Sequence, residues 1–349
     1  MNWILLPIAF LYQGLLCLRH KLFDWHILPS KRFETPVICI GNLSLGGTGK
    51  TPHTEYLIRL LKDEYSVATL SRGYGRKTKG FRIAGPTSTA DDIGDELMQY
   101  RKKFPDIMVA ADENRVEGVE KLLQSQNPPQ VILLDDAMQH RSIQPGLTLL
   151  LTEHTHLYVD DYLVPAGTLR DVRSAARRAD LVIITKTPID LDEEEKTDIL
   201  KRLKLKPHQK VFFSYIQYEA LKAMNPVAES IDATQSEAAL LFCGIAHPAH
   251  LIHELKEKYP ILDVMTFSDH HPFNQDDVKH LLERYDQLST TKKIVITTEK
   301  DLARLTNSPY LCKFESVPLF TAPIHIKIDE EEKFNKEILS YVRENTQHR

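Results

Sequence analysis

The feature that most constrains this chain is a strand–loop–helix segment near its start, residues 37–52 with the sequence VICIGNLSLGGTGKTP. A run of β-forming residues leads into glycines and then into Gly49-Lys50-Thr51. Closely spaced glycines let backbone N–H groups approach oxygens, and a helix that begins at the lysine directs the positive end of its dipole to the same point. The segment therefore predicts a phosphate-binding loop that opens an α/β domain.

This loop departs from the pattern G-x-x-x-x-G-K-[ST] at its first position, where Ser44 replaces glycine. The remaining parts are present. The residues predicted to bind the nucleotide are Ser44, Leu45, Gly46, Gly47, Thr48, Gly49, Lys50 and Thr51. We expect Lys50 to reach the β- and γ-phosphates and the Thr51 hydroxyl to bind Mg²⁺. The alternative is a glycine-rich turn with an incidental Lys-Thr pair.

A second signal of phosphate chemistry is the apolar run 131–134, which ends in Asp135 and Asp136. In nucleoside triphosphatases, carboxylates at the end of a strand beside the phosphate loop hold Mg²⁺. We expect one of the two carboxylates to bind the ion directly or through water. The motif is common when it stands alone, because any buried strand can end in Asp, so its weight comes from the pairing with the first loop.

Short apolar runs alternate with longer helical stretches from residue 35 onward. The predicted strands of the first lobe are 37–40, 66–70, 107–110, 131–134, 147–151 and 181–185, and its predicted helices are 50–62, 91–103 and 115–124. Continuously apolar strands separated by helices indicate a parallel sheet covered on both faces. We predict an α/β fold with a P-loop nucleotide-binding kinase domain over 35–205.

Residues 206–349 are predicted to form a second, smaller α/β lobe. Its predicted strands are 210–218, 239–243, 261–266 and 294–297. Residues 318–328 include an alternating tail, which we expect to pair with 211–218 as a two-stranded ribbon joining the lobes. The last stretch, 330–349, is predicted to be a helix with a polar face.

Residues 1–34 are the compositional outlier, because 3–18 read WILLPIAFLYQGLLCL. The basic residues that follow are Arg19, Lys21, Lys31 and Arg32. A signal peptide would carry its charges before the apolar run. A helix over 3–18 would be about 24 Å long, shorter than a hydrocarbon core of roughly 30 Å. We predict an interfacial membrane-associating helix; a helix packed on the protein's own core and a single span are the alternatives.

Charge and cysteine content narrow the function classes. The net charge is −4, which argues against nucleic acid as the main partner. The four cysteines are scattered without a C-x-x-C pair, as in proteins with reduced thiols. The sequence indicates no obligate protein partner.

Nucleotide-binding motifs alone do not identify the phosphate acceptor. A nucleotide-driven switch or chaperone, and a kinase of a soluble metabolite, remain alternatives to a lipid kinase. Against a switch, Leu45 stands where membrane-positioning ATPases of the deviant Walker type carry a signature lysine, and Thr185-Lys186-Thr187-Pro188 lacks the aspartate of a guanine-reading motif.

Several short blocks occur in one order along the chain. They are 41–52 (GNLSLGGTGKTP), 70–76 (LSRGYGR), 94–96 (GDE), 135–140 (DDAMQH), 165–171 (PAGTLRD), 267–271 (FSDHH) and 297–301 (TTEKD). Together they resemble the tetraacyldisaccharide 4'-kinases, the lipid A 4'-kinases, including the missing first glycine of the loop. The departures are Ala137 for glycine, Thr168 for proline and Asp171 for glutamate, and the last leaves the role of Asp171 in doubt.

The resemblance implies ATP- and Mg²⁺-dependent phosphorylation of the 4'-hydroxyl of tetraacyldisaccharide 1-phosphate. This is a late step of lipid A synthesis at the cytoplasmic face of the Gram-negative inner membrane. A glycolipid acceptor and a membrane surface would then be the partners, and the apolar N-terminus would dock a peripheral or monotopic enzyme on the bilayer.

A sugar hydroxyl must lose its proton as the phosphoryl group is transferred, and a positioned carboxylate can accept it. The resemblance assigns this role to Asp95, partnered by His270, with Lys50 completing the catalytic set. From the residues alone, Asp95 could equally cap a helix and His270 could be structural. His140 is a competing candidate for the base. Asp269-His270-His271 does not complete a zinc site.

Substrate contacts are expected mainly from basic and polar side chains near these motifs. The predicted substrate-binding residues are Arg72, Tyr74, Arg115, Gln139, His140 and Arg170. Arg72 and Arg170 each lie in a basic run, and such runs are often solvated faces. Here the 1-phosphate of the acceptor and an anionic leaflet give them a reason.

Overall fold

The computed structural model describes residues 3–245, 248–269, 271–306 and 308–346. The helices are α1 (Leu6–Asp24), α2 (Lys50–Leu61), α3 (Ala90–Ile93), α4 (Asp95–Lys103), α5 (Arg115–Leu123), α6 (Glu193–Leu203), α7 (Pro226–Glu229), α8 (Ala249–Lys258), α9 (Gln275–Gln287), α10 (Glu299–Thr306) and α11 (Glu331–Thr346). The strands are β1 (Lys31–Arg32), β2 (Val37–Asn42), β3 (Val67–Ser71), β4 (Arg82–Ile83), β5 (Met108–Ala111), β6 (Val131–Asp135), β7 (Ile143–Gln144), β8 (Leu147–Glu153), β9 (Leu181–Thr185), β10 (Lys210–Tyr218), β11 (Lys222–Ala223), β12 (Ala238–Cys243), β13 (Ile261–Thr266), β14 (Lys293–Thr298), β15 (Leu319–Ala322) and β16 (Ile324–Ile328).

A nine-stranded sheet forms the centre of the molecule, in the order β16-β10-β9-β8-β2-β6-β3-β5-β4. The strands from β10 to β5 in that order run parallel, and β16 and β4 pair antiparallel at the two edges. Alternate residues of β2 enter two separate cores, Cys39 one and Ile38 and Ile40 the other. The predicted parallel sheet with both faces covered is confirmed.

Strand order places the two phosphate motifs side by side. β2, which leads into the glycine-rich loop, lies between β6 and β8. Asp135 pairs with Ile40 in the β2–β6 register, so the carboxylates and the loop leave the sheet at the same edge. Ligands of open parallel sheets bind at the carboxyl ends of the strands, and this edge is therefore where a site is expected.

A second sheet has five strands in the order β11-β15-β14-β12-β13 and two cores of its own. The predicted pairing of 211–218 with 318–328 occurs between Ser214–Tyr218 and β16. It is not a separate ribbon, however, because the first half of β10 pairs in parallel with β9. The nine residues of β10 are enough to serve both neighbours, so the paired strands extend the central sheet.

Helix α11 returns to the central sheet. Phe334, Ile338 and Val342 are spaced four residues apart, and this places them on one helical face. All three are buried in the same core as Ile326 and Ile328 of β16. The C-terminal helix therefore has a buried apolar face in addition to the expected polar one, and its packing partner is the first lobe.

The stretch predicted as one helix over 91–103 is two helices divided at Gly94. The φ of Gly94 is +93°, and a Cβ there would lie 2.7 Å from the carbonyl oxygen of Tyr74. Only glycine fits this close approach. The break makes Asp95 the first residue of α4.

At the N-terminus, α1 is docked through its polar end. His20 Nε2 lies 2.5 Å from Asp171 Oδ1, and Arg141 binds Asp24 at 2.8 Å. Ala9 and Phe23 are buried, whereas the opposite apolar side chains of the helix are exposed. Among the described residues, none of the helices has the length and apolar character to span a bilayer.

We predict that Ile338→Ala lowers the free energy of unfolding by about 2–5 kcal/mol, because the side chain is completely buried between α11 and the central sheet. Lys336→Ala, an exposed position on the same helix, is the matched control and should change it by less than about 0.5 kcal/mol. Urea unfolding monitored by circular dichroism measures both. Equal stability of the two variants would contradict the packing of α11 on the central sheet.

Candidate active site

The glycine-rich loop leaves β2 and ends at the first residue of α2. Gly46 and Gly49 have φ values of +104° and +87°, which residues with a Cβ rarely adopt. Gly49 is the N-cap residue of α2. The backbone N–H groups of the loop and the positive end of the helix dipole therefore act on an anion at the same place.

Neighbouring segments fix the shape of the loop. Leu45 N donates to the carbonyl of Thr168 at 2.7 Å, and Arg170 N donates to the carbonyl of Leu43 at 2.8 Å. On the far side, Thr185 Oγ1 donates to the carbonyl of Thr48 at 2.9 Å. An otherwise flexible glycine-rich segment is thus held from two directions.

His53 is a further support of the loop, inside α2 and 3% exposed. Its Nδ1 lies 2.7 Å from the carbonyl oxygen of Gly49, and its Nε2 lies 3.0 Å from Ser214 Oγ on β10. The carbonyl can only accept, so Nδ1 carries the proton and donates. Burial lowers the pKa of His53 to about 4, and the ring is neutral at physiological pH.

The two carboxylates that end β6 have opposite electrostatic environments. Burial, with Glu96 and Asp136 nearby, raises the pKa of Asp135 to about 7, and Tyr100 donates to its Oδ2 at 2.8 Å. Burial also acts on Asp136, but the hydrogen bond from Arg170 and the charge of Lys50 outweigh it and hold its pKa below the ordinary value.

Arg170 joins the carboxylates to the loop. Its guanidinium binds both oxygens of Asp136, with Nη1 2.9 Å from Oδ2, and it also contacts the side-chain oxygen of Asn42. Lys50 Nζ lies 3.9 Å from Asp136 Oδ1. Two cations therefore point to the same place, where a polyphosphate would meet the loop.

The predicted magnesium ligands Thr51, Asp135 and Asp136 lie at the same edge of the sheet, and Glu96 lies close to both Thr51 and Asp135. Thr51 Oγ1 is 3.4 Å from Glu96 Oε1, and Asp135 Oδ1 is buried with no hydrogen-bond partner among the described residues. Oxygen donors of this kind suit Mg²⁺, which takes one or two carboxylates together with phosphate and water oxygens. The donor set fits the ion.

Asp95 begins α4 beside this group, with its side chain 36% exposed. Arg304 of α10 approaches it, with Nε 3.6 Å from Asp95 Oδ2, and the same guanidinium lies 4.0 Å from Asp269. His270 lies outside the described residues. Asp269, the residue before it, and Asp95 both lie next to Arg304.

A cleft of about 750 Å³ lies between the lobes. Of the predicted site residues, the following line it: Ser44, Leu45, Gly46, Gly47, Thr48, Gly49, Lys50, Thr51, Tyr74, Asp136 and Arg170. Glu96 and Gln99 of α4 and Asp269, Glu299 and Lys300 of the second lobe line it as well. Its apolar part includes Ile216, Tyr218 and Ile324, and Tyr218 stacks on His250 with ring centroids 5.4 Å apart.

Four predicted substrate residues do not line this cleft. Arg72 is exposed on the loop after β3, whereas Arg115 is 1% exposed and donates to the carbonyl of Asp112 at 2.7 Å. Gln139 Nε2 donates to the carbonyl of Asn42 at 2.8 Å. Burial, with Arg115 nearby, lowers the pKa of His140 to about 4.

Two residues that lie beside the predicted site residues, Glu96 and Arg304, are not among those predicted from the sequence. Glu96 lies in the 94–96 block, directly after the predicted base Asp95. Arg304 follows the 297–301 block on α10, and no local pattern connects it to Asp95. Asp171, whose role was in doubt, is 1% exposed and binds His20 of α1 and Arg178.

Comparisons with known proteins agree on one family. The family model described as "Tetraacyldisaccharide-1-P 4'-kinase" matches residues 1–343. The tetraacyldisaccharide 4'-kinase of Bacteroides thetaiotaomicron is 46% identical, covering 98% of this chain and 93% of the relative, and that of Flavobacterium johnsoniae is 43% identical over 98% and 97%. A crystal structure of LpxK from Aquifex aeolicus in complex with ATP is 28% identical, with a TM-score of 0.74 and coverage of 97% and 98%.

We predict that His53 makes the wild-type protein less stable as the pH falls from 6.5 to 4. The unfolded chain binds a proton on His53 near pH 6.5, whereas the folded protein binds it only near pH 4, so acid favours unfolding across this window. In the His53→Leu variant this part of the pH dependence is absent, whereas in His253→Leu, an exposed matched control, it is retained. Urea unfolding at several pH values measures it, and identical slopes for wild type and His53→Leu would contradict the assignment.

Proposed function

The chain belongs to the tetraacyldisaccharide-1-P 4'-kinase family, and from this premise we propose how its interlobe cleft transfers the γ-phosphate of ATP to the 4'-hydroxyl of tetraacyldisaccharide 1-phosphate. One observation carries the proposal. The phosphate loop and the start of α4 meet at the same edge of the central sheet, with Thr51 3.4 Å from Glu96, the residue that follows Asp95. Phosphate donor and proton acceptor are thereby neighbours.

We assign the phosphates of ATP to the loop backbone from Gly46 to Thr51 and to Lys50. The loop is held in shape before the nucleotide binds, and preorganised donors stabilise developing charge without reorganisation. Mg²⁺ would be held by Thr51 with Asp135, Asp136 and Glu96, and when bound it neutralises charge on the phosphates. Arg170 orients Asp136 in this arrangement.

The apolar part of the cleft suits the adenine base. Ile216, Ile324 and the Tyr218–His250 stack line the same cavity as the phosphate loop. Flat aromatic bases bind apolar surfaces that also offer aromatic rings.

Asp95 is our candidate general base. Its carboxylate accepts the proton of the 4'-hydroxyl while the hydroxyl oxygen bonds to the γ-phosphorus and the bond to ADP breaks. A partner role for His270 remains a prediction. His140 is the weaker candidate. Asp95 is partly exposed and precedes Glu96, which lines the cleft, whereas burial and the charge of Arg115 lower the pKa of His140 to about 4.

For the acceptor, we propose direct contacts from Arg72 and Tyr74. Both are exposed on the loop after β3, and Tyr74 lines the cleft. Arg115 and Gln139 act indirectly, because Arg115 is buried and Gln139 binds the backbone of Asn42. Basic residues on this loop match the 1-phosphate of the acceptor.

We propose that α1 docks the enzyme peripherally on the cytoplasmic face of the inner membrane. The large apolar side chains that it leaves exposed are Ile4, Ile8, Phe10, Leu11, Leu15 and Leu18, with Ile4 in the short turn that precedes it. A contiguous exposed apolar stripe on a helix followed by basic residues suits a lipid interface. A lipid acceptor would explain why these apolar side chains are exposed, because the enzyme must reach its substrate in the membrane.

We predict that Lys50→Met and Asp95→Asn each lower 4'-phosphorylation at least about 100-fold, because one removes a phosphate contact and the other the proton acceptor. Asp106→Asn, an exposed carboxylate just after α4, is the control and should leave the rate unchanged. Radiolabelled ATP with tetraacyldisaccharide 1-phosphate, resolved by thin-layer chromatography, gives the rates.

Near-wild-type turnover by Asp95→Asn would refute its role as the base. ATP or GTP hydrolysis that ignores the glycolipid, with no labelled lipid formed, would instead favour a nucleotide-driven switch or chaperone.

We predict that replacing both Phe10 and Leu11 by Glu weakens binding to anionic phospholipid vesicles at least about tenfold, because each buried apolar side chain contributes roughly 1.5–3 kcal/mol. Ile189→Glu, an exposed apolar position outside α1, is the control. Point substitutions are preferable to deletion, since Ala9 and His20 of the helix are buried in the protein. Unchanged co-sedimentation of the double variant would mean that α1 is only a packed helix.

A further inference from the structure

The packing of α10 against α4 contains a charged group that the reaction scheme above does not use. We propose that Arg304, carried by the second lobe, is a positioning residue for Asp95: it fixes the direction of the carboxylate that receives the substrate proton. This inference rests on the proposed function, because it takes Asp95 as the base.

One side of the Arg304 guanidinium is anchored within the second lobe. Nη1 donates to Asp301 Oδ1 at 2.7 Å and to the carbonyl of Gly244 at 2.9 Å. Asp301 is completely buried, and its other oxygen accepts from Thr298 Oγ1 at 2.6 Å and from Gly244 N at 3.0 Å. A planar guanidinium bound in this way has little freedom to rotate.

The other side of the guanidinium faces Asp95 of the first lobe and Asp269 of the second. Nε lies 3.6 Å from Asp95 Oδ2, and Nη2 lies 4.0 Å from Asp269 Oδ1. The side chain of Arg304 is 8% exposed, whereas that of Asp95 is 36% exposed. The cation therefore lies against one side of a carboxylate that is itself partly exposed.

Close packing keeps this arrangement tight. The gap bordered by Asp95, Gln99, Ala303 and Arg304 has a volume of only about 10 Å³, room for about one water molecule. Two further charge pairs cross the same helix contact, Lys103 with Glu299 at 2.7 Å and Lys300 with Glu96 at 3.9 Å.

The position of the Asp95 carboxylate thus depends on a contact from the second lobe. The shape of the phosphate loop depends on hydrogen bonds within the first lobe. Arg304 does not line the cleft that holds the phosphate loop. Its loss should consequently impair the chemical step and leave ATP binding intact. A merely structural role would instead change both, or neither.

The test is steady-state kinetics of Arg304→Gln and Arg304→Lys in the full-length protein. We expect Arg304→Gln to lower kcat about 10–100-fold with the KM for ATP within about twofold of wild type. Arg304→Lys, which keeps the charge but not the fork, should recover part of the loss. Arg284→Gln, which breaks an ion pair with Asp263 at the edge strand β13, is the matched control and should keep wild-type kcat.

A double variant separates this inference from the proposed function. If Arg304 acts through Asp95, adding Arg304→Gln to Asp95→Asn lowers single-turnover rates no further. An additional loss in the double variant, or a wild-type kcat for Arg304→Gln, overturns the positioning role while Asp95 stays the base. Near-wild-type turnover of Asp95→Asn overturns the proposed base and the inference with it.

Arg304→Lys keeps the test decisive if Arg304→Gln does not fold, as judged by thermal unfolding. In that case a kcat several-fold below wild type with an unchanged KM for ATP supports the proposal, and a kcat equal to wild type overturns it.

Discussion

A glycine-rich loop has no fixed shape of its own, and in this protein hydrogen bonds from the segment 168–170 and from β9 provide it. Leu45 and Leu43 are bound to Thr168 and Arg170, and Thr48 is bound to Thr185. The Arg170 side chain then ties the same loop to Asp136. Phosphate binding gains from this because donors already in place cost no ordering when the ligand arrives.

Local sequence patterns predict those elements in which successive residues share the same degree of burial. Strands of the central sheet are buried on both faces, so their apolar runs were recognisable, and the loop after β2 carried its glycines at fixed positions. The break at Gly94 was missed because its cause is the Tyr74 carbonyl, which lies far away in sequence. The packing of α11 and the continuity of β10 with β9 are likewise set by distant partners.

Candidate site residues follow the same rule. Ser44 to Thr51, Asp136 and Arg170 line the cleft, as expected from the motifs in which they lie, and their roles there remain predictions. Arg115 was expected near the substrate, but it is buried behind Asp135 and Asp136, where it adds positive charge without reaching the cleft. Arg304 was missed because its relation to Asp95 exists only when the lobes pack together. Spacing along a chain carries no information about which lobe faces which.

The distribution of charge explains why α4 is central to this arrangement. Burial raises the pKa of Asp135, and the nearby carboxylates of Glu96 and Asp136 add to this effect, whereas Arg170 and Lys50 hold the pKa of Asp136 low. Three ion pairs join α4 to the second lobe: Lys103 with Glu299, Lys300 with Glu96 and Arg304 with Asp95. One short helix therefore faces the nucleotide site with its first turn and is held by the second lobe along its length. Asp95 is thereby in direct contact with the second lobe, whereas the phosphate loop is held by residues 168–170 and by Thr185 of β9.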